Sequence, residues 1–227
     1  MQPDLSAELD RDALQAVLFD MDGTLVETET MWHDAESMTM ATFGAEWTKE
    51  EQLMAMGGPF DKVAEYMASK IGISAARTGE EMIANISELM RTRPMHIQPG
   101  IAELHASLRA AGIPIALVTN SFRPLLDLVI DRTGLQFDAT VASDEVQQGK
   151  PFPDSYLKAC ELLGVNPACC VVLEDSRTGI QAATAAGANV VAIPPEAVAR
   201  ELTPTDRITV VHSAAEVDLD FLYSLVH

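Results

Sequence analysis

Positive charge is what this chain has least of. Fifteen Lys and Arg stand against 34 Asp and Glu, a formal net charge of −19 over 227 residues. A surface of that sign repels polyanions, which excludes nucleic acid and anionic membranes as expected partners, and no Lys/Arg cluster offers a local exception. Cysteine is scarce too, at three residues. Cys160, Cys169 and Cys170 form neither a disulfide framework nor the paired spacing of a zinc site, and an odd count fits a reducing compartment. Cys169 and Cys170 sit in an apolar run and read as strand filling. No apolar run reaches membrane-spanning length, and residues 1–12 are acidic, without the apolar core of a signal peptide. A cytoplasmic location is expected, with a monomer or dimer as the assembly. Repeats and low-complexity tracts are absent.

What is present is enough apolar material, 48% of residues, to bury a sizeable core. Its pattern turns on Ala16-Val17-Leu18-Phe19-Asp20-Met21-Asp22-Gly23-Thr24-Leu25. An apolar run of buried-strand type delivers two carboxylates two residues apart, then a Gly that lets the chain turn. Read alone, this is an ordinary strand-to-turn junction. Two carboxylates beside a core strand nevertheless call for a compensating cation.

Helical periodicity follows. Met31, Ala35, Met38 and Thr42 recur at threes and fours through 27–43, with further helices predicted over 49–54, 61–71 and 79–91. Gly57, Gly58, Pro59 and Gly72 punctuate this strandless block, which is too long for a single crossover and reads as an inserted helical subdomain. Its methionines (Met31, Met38, Met40, Met54, Met56, Met67, Met82 and Met90) are expected in that subdomain's core. After a linker at 94–100, helices at 101–111, 125–131, 154–163 and 179–186 alternate with strands at 113–118, 138–141, 169–173 and 189–193. A Gly follows each helix as a left-handed cap. A last strand at 208–211 and a closing helix at 219–226 complete an α/β pattern with a parallel sheet covered on both faces. Residues 196–207 are expected to be a solvated connection.

Each strand ends in polar residues. Asp20 and Asp22 follow the first; Thr119-Asn120-Ser121 follow the second. Ser143-Asp144 and then Lys150 follow the third, and Glu174-Asp175-Ser176 the fourth. In a parallel sheet these ends share one edge, where ligands of open α/β sheets bind. Alternation alone therefore predicts one cleft holding Asp20, Asp22, Thr119, Lys150, Glu174 and Asp175. Several carboxylates with oxygen-only ligands describe a hard-cation site suited to Mg²⁺ and a phosphate. Asp20 fits a nucleophile on phosphorus, Asp22 a general acid and base, and Lys150 with the Thr119 hydroxyl a hold on the transferring oxygens.

These residues together resemble the haloacid dehalogenase (HAD) superfamily of phosphohydrolases, over nearly the whole chain after the first dozen residues. Asp20-Met21-Asp22-Gly23-Thr24 is similar to its first motif, Thr119 after Ile115-Ala116-Leu117-Val118 to its second, Lys150 in Gly149-Lys150-Pro151 to its third, and Glu174-Asp175-Ser176-Arg177-Thr178-Gly179-Ile180 to its fourth. The resemblance implies a Rossmann-like doubly wound core, residues 13–27 and 95–227, with an inserted α-helical cap, residues 28–94. It implies Mg²⁺ and an aspartyl-phosphate intermediate. Asp20 would be nucleophile and metal ligand, and Asp22 acid/base and metal ligand through its backbone carbonyl. Glu174 and Asp175 would complete the metal site, and Thr119, Asn120 and Lys150 would meet the substrate phosphate.

The subgroup most similar contains β-phosphoglucomutase and sugar-phosphate phosphatases. The expected activity is hydrolysis of a small phosphorylated metabolite of the sugar or sugar-alcohol phosphate class, with a phosphomutase as the alternative. Trp32 stands where the mutases resembling this chain carry a His, with His33 adjacent, and Lys62 is the only cation near the position of an early cap Arg. Both departures favour water as acceptor. Trp32 is read as packing in preference to substrate contact, His33 as a surface or hinge residue, and His96, His105, His212 and His227 as surface residues. Arg123 is read either as a phosphate contact or as solvent-facing. A non-catalytic phospho-ligand-binding protein would be expected to break a catalytic position, and none is broken. A structural module presenting the acidic surface is the remaining rival.

Overall fold

The computed structural model describes residues 13–55, 58 and 60–226. The expectations for residues 1–12, Met56, Gly57, Pro59 and His227 lie outside the described residues. Six strands, β1 (Ala16–Phe19), β4 (Ile115–Val118), β5 (Ala139–Val141), β6 (Cys170–Glu174), β7 (Asn189–Ala192) and β8 (Ile208–Val210), form one sheet in the order β5-β4-β1-β6-β7-β8. Every pairing is parallel. Side chains alternate between two apolar layers, as the period of a strand requires. Val17, Phe19, Leu117 and Leu173 enter one layer; Ala16, Leu18, Val118 and Val172 enter the other. β1 lies between β4 and β6, so the chain leaves it in one direction and later returns on its other side. The crevice at that reversal is where such sheets bind ligands.

The covering helices are α5 (Ile101–Ala111), α6 (Arg123–Thr133), α7 (Asp154–Leu163), α8 (Arg177–Ala185) and α10 (Leu219–Ser224). Gly112, Gly134, Gly164 and Gly187 close the first four of these in the left-handed conformation, as the sequence predicts. Cys170 fills β6, whereas Cys169 is half-buried in the turn before it. His105, expected at the surface, is buried on α5. Its Nε2 lies 2.8 Å from the Gln136 carbonyl and its ring meets Phe137 edge-on. Residues 196–207 are exposed or half-buried throughout, as expected of a solvated connection, and a short helix, α9 (Glu196–Ala199), folds within them.

The insert contains α1 (Glu29–Thr42), α2 (Lys49–Ala55), α3 (Phe60–Ile71) and α4 (Ala75–Thr92). α4 starts one turn earlier than periodicity predicts, because Ser74 caps it by accepting from the Arg77 N–H at 3.3 Å. Met40, Trp47, Ala64, Met67 and Met82 make a small core of their own. Met31 and Met90 join the large core instead, while Met38 and Met54 are exposed. The buried face of α1 is therefore Met31, Ala35, Glu36, Thr39 and Met40, not the stripe through Met38 and Thr42.

The segment 94–100 is more than a linker. Within it β3 (His96–Ile97) pairs antiparallel with β2 (Val26–Glu27), a match too short to leave a periodic signal. Gln98 reinforces it, donating its N–H to the Leu25 carbonyl (2.9 Å) and its side-chain amide to that of Gly23 (2.8 Å). The two strands crossing between sheet and insert are thus tied together directly beneath Asp22. Phe60 of α3 also meets Phe122 of the sheet side edge-on, with centroids 5.0 Å apart.

Glu36 is the anomaly of the insert. It is 6% exposed, its Oε2 accepts the Trp47 indole N–H at 2.8 Å, and burial pushes its carboxyl from an ordinary 4.5 up to about 7. The folded state therefore holds a proton that the unfolded chain releases between those values. Glu36 supports stability below about pH 4.5, and that support is lost as pH rises towards 7. Thermal melts of the wild type and Glu36→Gln should accordingly diverge, the wild type losing several degrees relative to the variant between pH 5 and pH 8. A constant gap would contradict a raised Glu36.

Candidate active site

Four of the residues predicted to share a cleft converge on one point. Lys150 Nζ lies 2.5 Å from Asp20 Oδ1, 2.7 Å from Glu174 Oε1 and 3.1 Å from the Val118 carbonyl, so all three ammonium protons have acceptors. Lys150 is 3% exposed and Glu174 fully buried. Tyr156 donates its hydroxyl to Glu174 Oε1 (2.8 Å), and the Lys150 ammonium sits 4.9 Å from the centre of the Tyr156 ring. Ser176 holds the other oxygen of Glu174 through its N–H and its hydroxyl, both at 3.0 Å. Asp175 accepts from the Thr24 hydroxyl at 3.1 Å.

Ligand oxygens of Asp20, Glu174 and Asp175 lie within 4.8 Å of one another. Burial, reinforced by the Glu174 charge and only partly offset by Lys150, pushes Asp20 from 3.8 up to about 7. Burial, then the charges of Asp20 and Glu174, hold Asp175 well above its ordinary range. Burial works against a charged Lys150, but the Asp20 and Glu174 carboxylates outweigh it and hold the ammonium above its usual range. Three buried carboxylates sharing one ammonium remain short of positive charge. An all-oxygen donor set of this kind fits a hard divalent cation such as Mg²⁺.

Asp22 points elsewhere. Its Oδ1 accepts from the Thr28 hydroxyl (2.7 Å) and the Trp32 indole N–H (3.1 Å), and its Oδ2 from the hydroxyls of Thr119 (3.1 Å) and Ser121 (2.8 Å). Its side chain is outside the acidic cluster, leaving only its backbone carbonyl for a metal. Trp32 is thus not packing alone; its indole N–H reaches Asp22. Asn120 lines the cleft. Its side chain bonds both backbone groups of Lys150, accepting from the N–H at 2.8 Å and donating to the carbonyl at 3.1 Å, and so shapes the loop that presents Lys150. Arg123 is neither a phosphate contact nor free in solvent; it clamps Glu145, Asp127 and Thr140. Lys62 pairs with Glu65 on the exposed side of α3, away from the cleft. Thr28, Trp32 and Tyr156 were not legible as partners of the site carboxylates, because no sequence pattern shows which way their side chains turn.

The cleft is a cavity of about 730 Å³ between sheet and insert. Asp20, Asp22, Lys150 and Asp175 line its floor. Its roof is largely apolar, with Trp32, Phe60, Val63 and Met82, while Glu29, His33 and Glu36 are the polar residues that α1 contributes. His33 is thus half-buried at the cleft, not a plain surface residue. Among the described residues, no helix is long and apolar enough to cross a membrane.

The parallel order, the convergence of these strand ends and the inserted helices define a binding crevice at the carboxyl edge of a Rossmann-like sheet, floored by acidic residues and one lysine. The chain belongs to the haloacid dehalogenase-like hydrolase family, whose pattern it matches over residues 17–193. It is 36% identical over 196 residues to Protein CbbY of Rhodobacter capsulatus, covering 81% of this chain and 86% of that one. It is 34% identical over 190 residues to Hexitol phosphatase B of Escherichia coli, covering 80% and 85%. A crystal structure of a CbbY mutant from Rhodobacter sphaeroides, in complex with xylulose-(1,5)bisphosphate, superposes with a TM-score of 0.79 at 30% identity, covering 92% of this chain and 99% of that one. Relatives at this level support phosphatase activity for this enzyme.

Gly179, in the first turn of α8, leaves the room that Glu174 occupies. A Cβ there would stand 1.6 Å from Glu174 Oε1, and Glu174 cannot swing aside without releasing Lys150, Tyr156 or Ser176. Gly179→Ala should cost about 2 kcal/mol, a fall in Tm of roughly 4–8 °C for a chain of this size. An unchanged melt would show that Glu174 is not held as described.

Proposed function

We propose that this enzyme is a Mg²⁺-dependent phosphatase of a small phosphomonoester, of the sugar or sugar-alcohol phosphate class. The observation that carries this reading is the opposed setting of two carboxylates at the end of one strand. Asp20 faces the cation cluster, and Asp22, two residues on, sits among four hydrogen-bond donors beneath Trp32. One is placed to attack and the other to move protons. Residues 28–94 serve as a cap over a core of 13–27 and 95–227, with the β2–β3 ties as the crossing points.

Asp20, Glu174 and Asp175 would hold Mg²⁺, with the Asp22 backbone carbonyl as a further ligand. When bound, Mg²⁺ supplies charge that offsets repulsion between Asp20 and a phosphate dianion and stabilises the transferring oxygens. An Asp20 carboxylate oxygen forms a bond to phosphorus while the bond from phosphorus to the substrate oxygen breaks, and Asp22 delivers a proton to that oxygen. Asp22 then takes a proton from water as it attacks the phosphorus, and the bond to Asp20 breaks to release phosphate. Lys150 keeps Asp20 oriented, and the Thr119 and Ser121 hydroxyls turn to follow the proton on Asp22.

A single phosphate is favoured over two. Among the described residues lining the cleft, the helices of the insert contribute no Lys or Arg; the cations there, Lys150 and Arg177, come from the core side. A second phosphate held against the cap would lack a counter-charge, which argues against the phosphomutase alternative.

A phosphate-release screen over phosphorylated sugars, polyols, glycolate and nucleotides with Mg²⁺ should find turnover. Recovery of an isomerised sugar phosphate without free phosphate would overturn the reading in favour of a mutase. Asp20→Asn should keep the fold and lose turnover by several orders of magnitude, as for a missing covalent nucleophile. Chelation should silence the wild type reversibly and lower its Tm, because metal binding relieves repulsion in the cluster. Activity indifferent to chelator would remove the metal from the account.

A further inference from the structure

Among the titratable residues of the cleft that this chemistry leaves unused, Glu36 is the buried one. It lies on α1 four residues, about 6 Å, beyond Trp32, whose indole touches Asp22. It lines the cavity, yet it is 6% exposed, and it shares that wall with Val63, Met82, Trp32 and Phe60. One oxygen accepts from Trp47; the other bonds to none of the described residues and is not a buried orphan, so it opens to the cavity. Holding a carboxyl this deep costs desolvation, and an apolar side chain of similar size would extend the insert's own core without that penalty. A group kept in such a position, open to the cavity, is explained by a ligand that completes its hydrogen bonding.

We propose that Glu36 selects the substrate through a hydrogen bond to a hydroxyl group at the end remote from the phosphate, an inference that rests on the phosphatase reading. Asp20 fixes the phosphate on the floor and Glu36 meets the far end at the roof, so the pair sets the length of the substrate as well as its chemistry. A hydroxyl suits the position better than an ammonium. It donates to a carboxylate and accepts from a carboxylic acid, and burial places Glu36 near the boundary between those forms at neutral pH. An ammonium would instead bury an ion pair in an apolar wall, with both charges desolvated. The substrate class is thus a short phosphomonoester of the sugar or sugar-alcohol type whose hydroxyl remote from the phosphate meets Glu36.

The test compares kcat/KM, by phosphate release with Mg²⁺, for n-alkyl phosphates, their ω-hydroxy counterparts and their ω-amino counterparts of matched length. At the best-fitting length the wild type should prefer the hydroxylated compound over the alkyl one by about tenfold or more. Glu36→Leu, and the unbranched Glu36→Met as a second packing variant, should bring that ratio close to one. The wild-type ratio is immune to any folding defect in the variants. A wild-type ratio near one, a ratio that survives in folded Glu36→Leu or Glu36→Met, or a preference for the amino compounds would each overturn the proposal. Release from no compound in this panel or in the metabolite screen would overturn the phosphatase reading and the proposal with it. Release without discrimination overturns the proposal alone.

Discussion

One buried ammonium organises this molecule. Lys150 reaches from the loop after β5 to the ends of β1, β4 and β6, and touches Asp20, Glu174 and the Val118 carbonyl. Carboxylates this deeply buried are tolerable only with a compensating charge, and removing one partner of such a group strands the others. The surroundings follow from that constraint. Asn120 grips the backbone of Lys150, Tyr156 and Ser176 fix Glu174, Thr24 fixes Asp175, and Gly179 stands where any side chain would collide with Glu174. A single lysine still leaves three carboxylates undercompensated, so the same arrangement that locks the sheet edge also prepares it for a divalent cation.

The cleft has two chemically distinct walls. The floor is made by strand ends and is charged, crowded and rigidly bonded. The roof is made by the insert and is mostly apolar. Asp22 belongs to both, since Thr119 and Ser121 come from the core side while Thr28 and Trp32 come from the start of the insert. The Asp22 carboxylate is therefore held by roof and floor together. The paired β2 and β3, with Gln98 bonded back to Leu25 and Gly23, fix where the insert joins the floor.

Much of this was legible in the sequence, and the reason is periodicity. Apolar strands of four or five residues, helices closed by Gly, and polar residues at each strand end fix the order of elements, and a parallel sheet then fixes which ends meet. Asp20, Lys150, Glu174 and Asp175 were found that way. What escaped depends on contacts with no periodic trace. The two-residue pairing of Val26–Glu27 with His96–Ile97 is one case, and the indole of Trp32 on Asp22 is another. His105 looked like a surface residue because a lone polar side chain does not reveal that Gln136 will supply its partner. The stripe on α1 was misplaced because Glu36, a charged residue by type, is buried while Met38, an apolar one, is exposed.

The central claim is that Asp20 accepts the phosphoryl group while Lys150 and a divalent cation hold its charge. The most direct measurement is a single turnover with excess enzyme, quenched in acid and reduced with borohydride, followed by peptide mapping. The account predicts homoserine at position 20, diminishing when the quench is delayed long enough for water to complete the reaction. Phosphate released with residue 20 still aspartate at every quench time, or the modification at another residue, would contradict it.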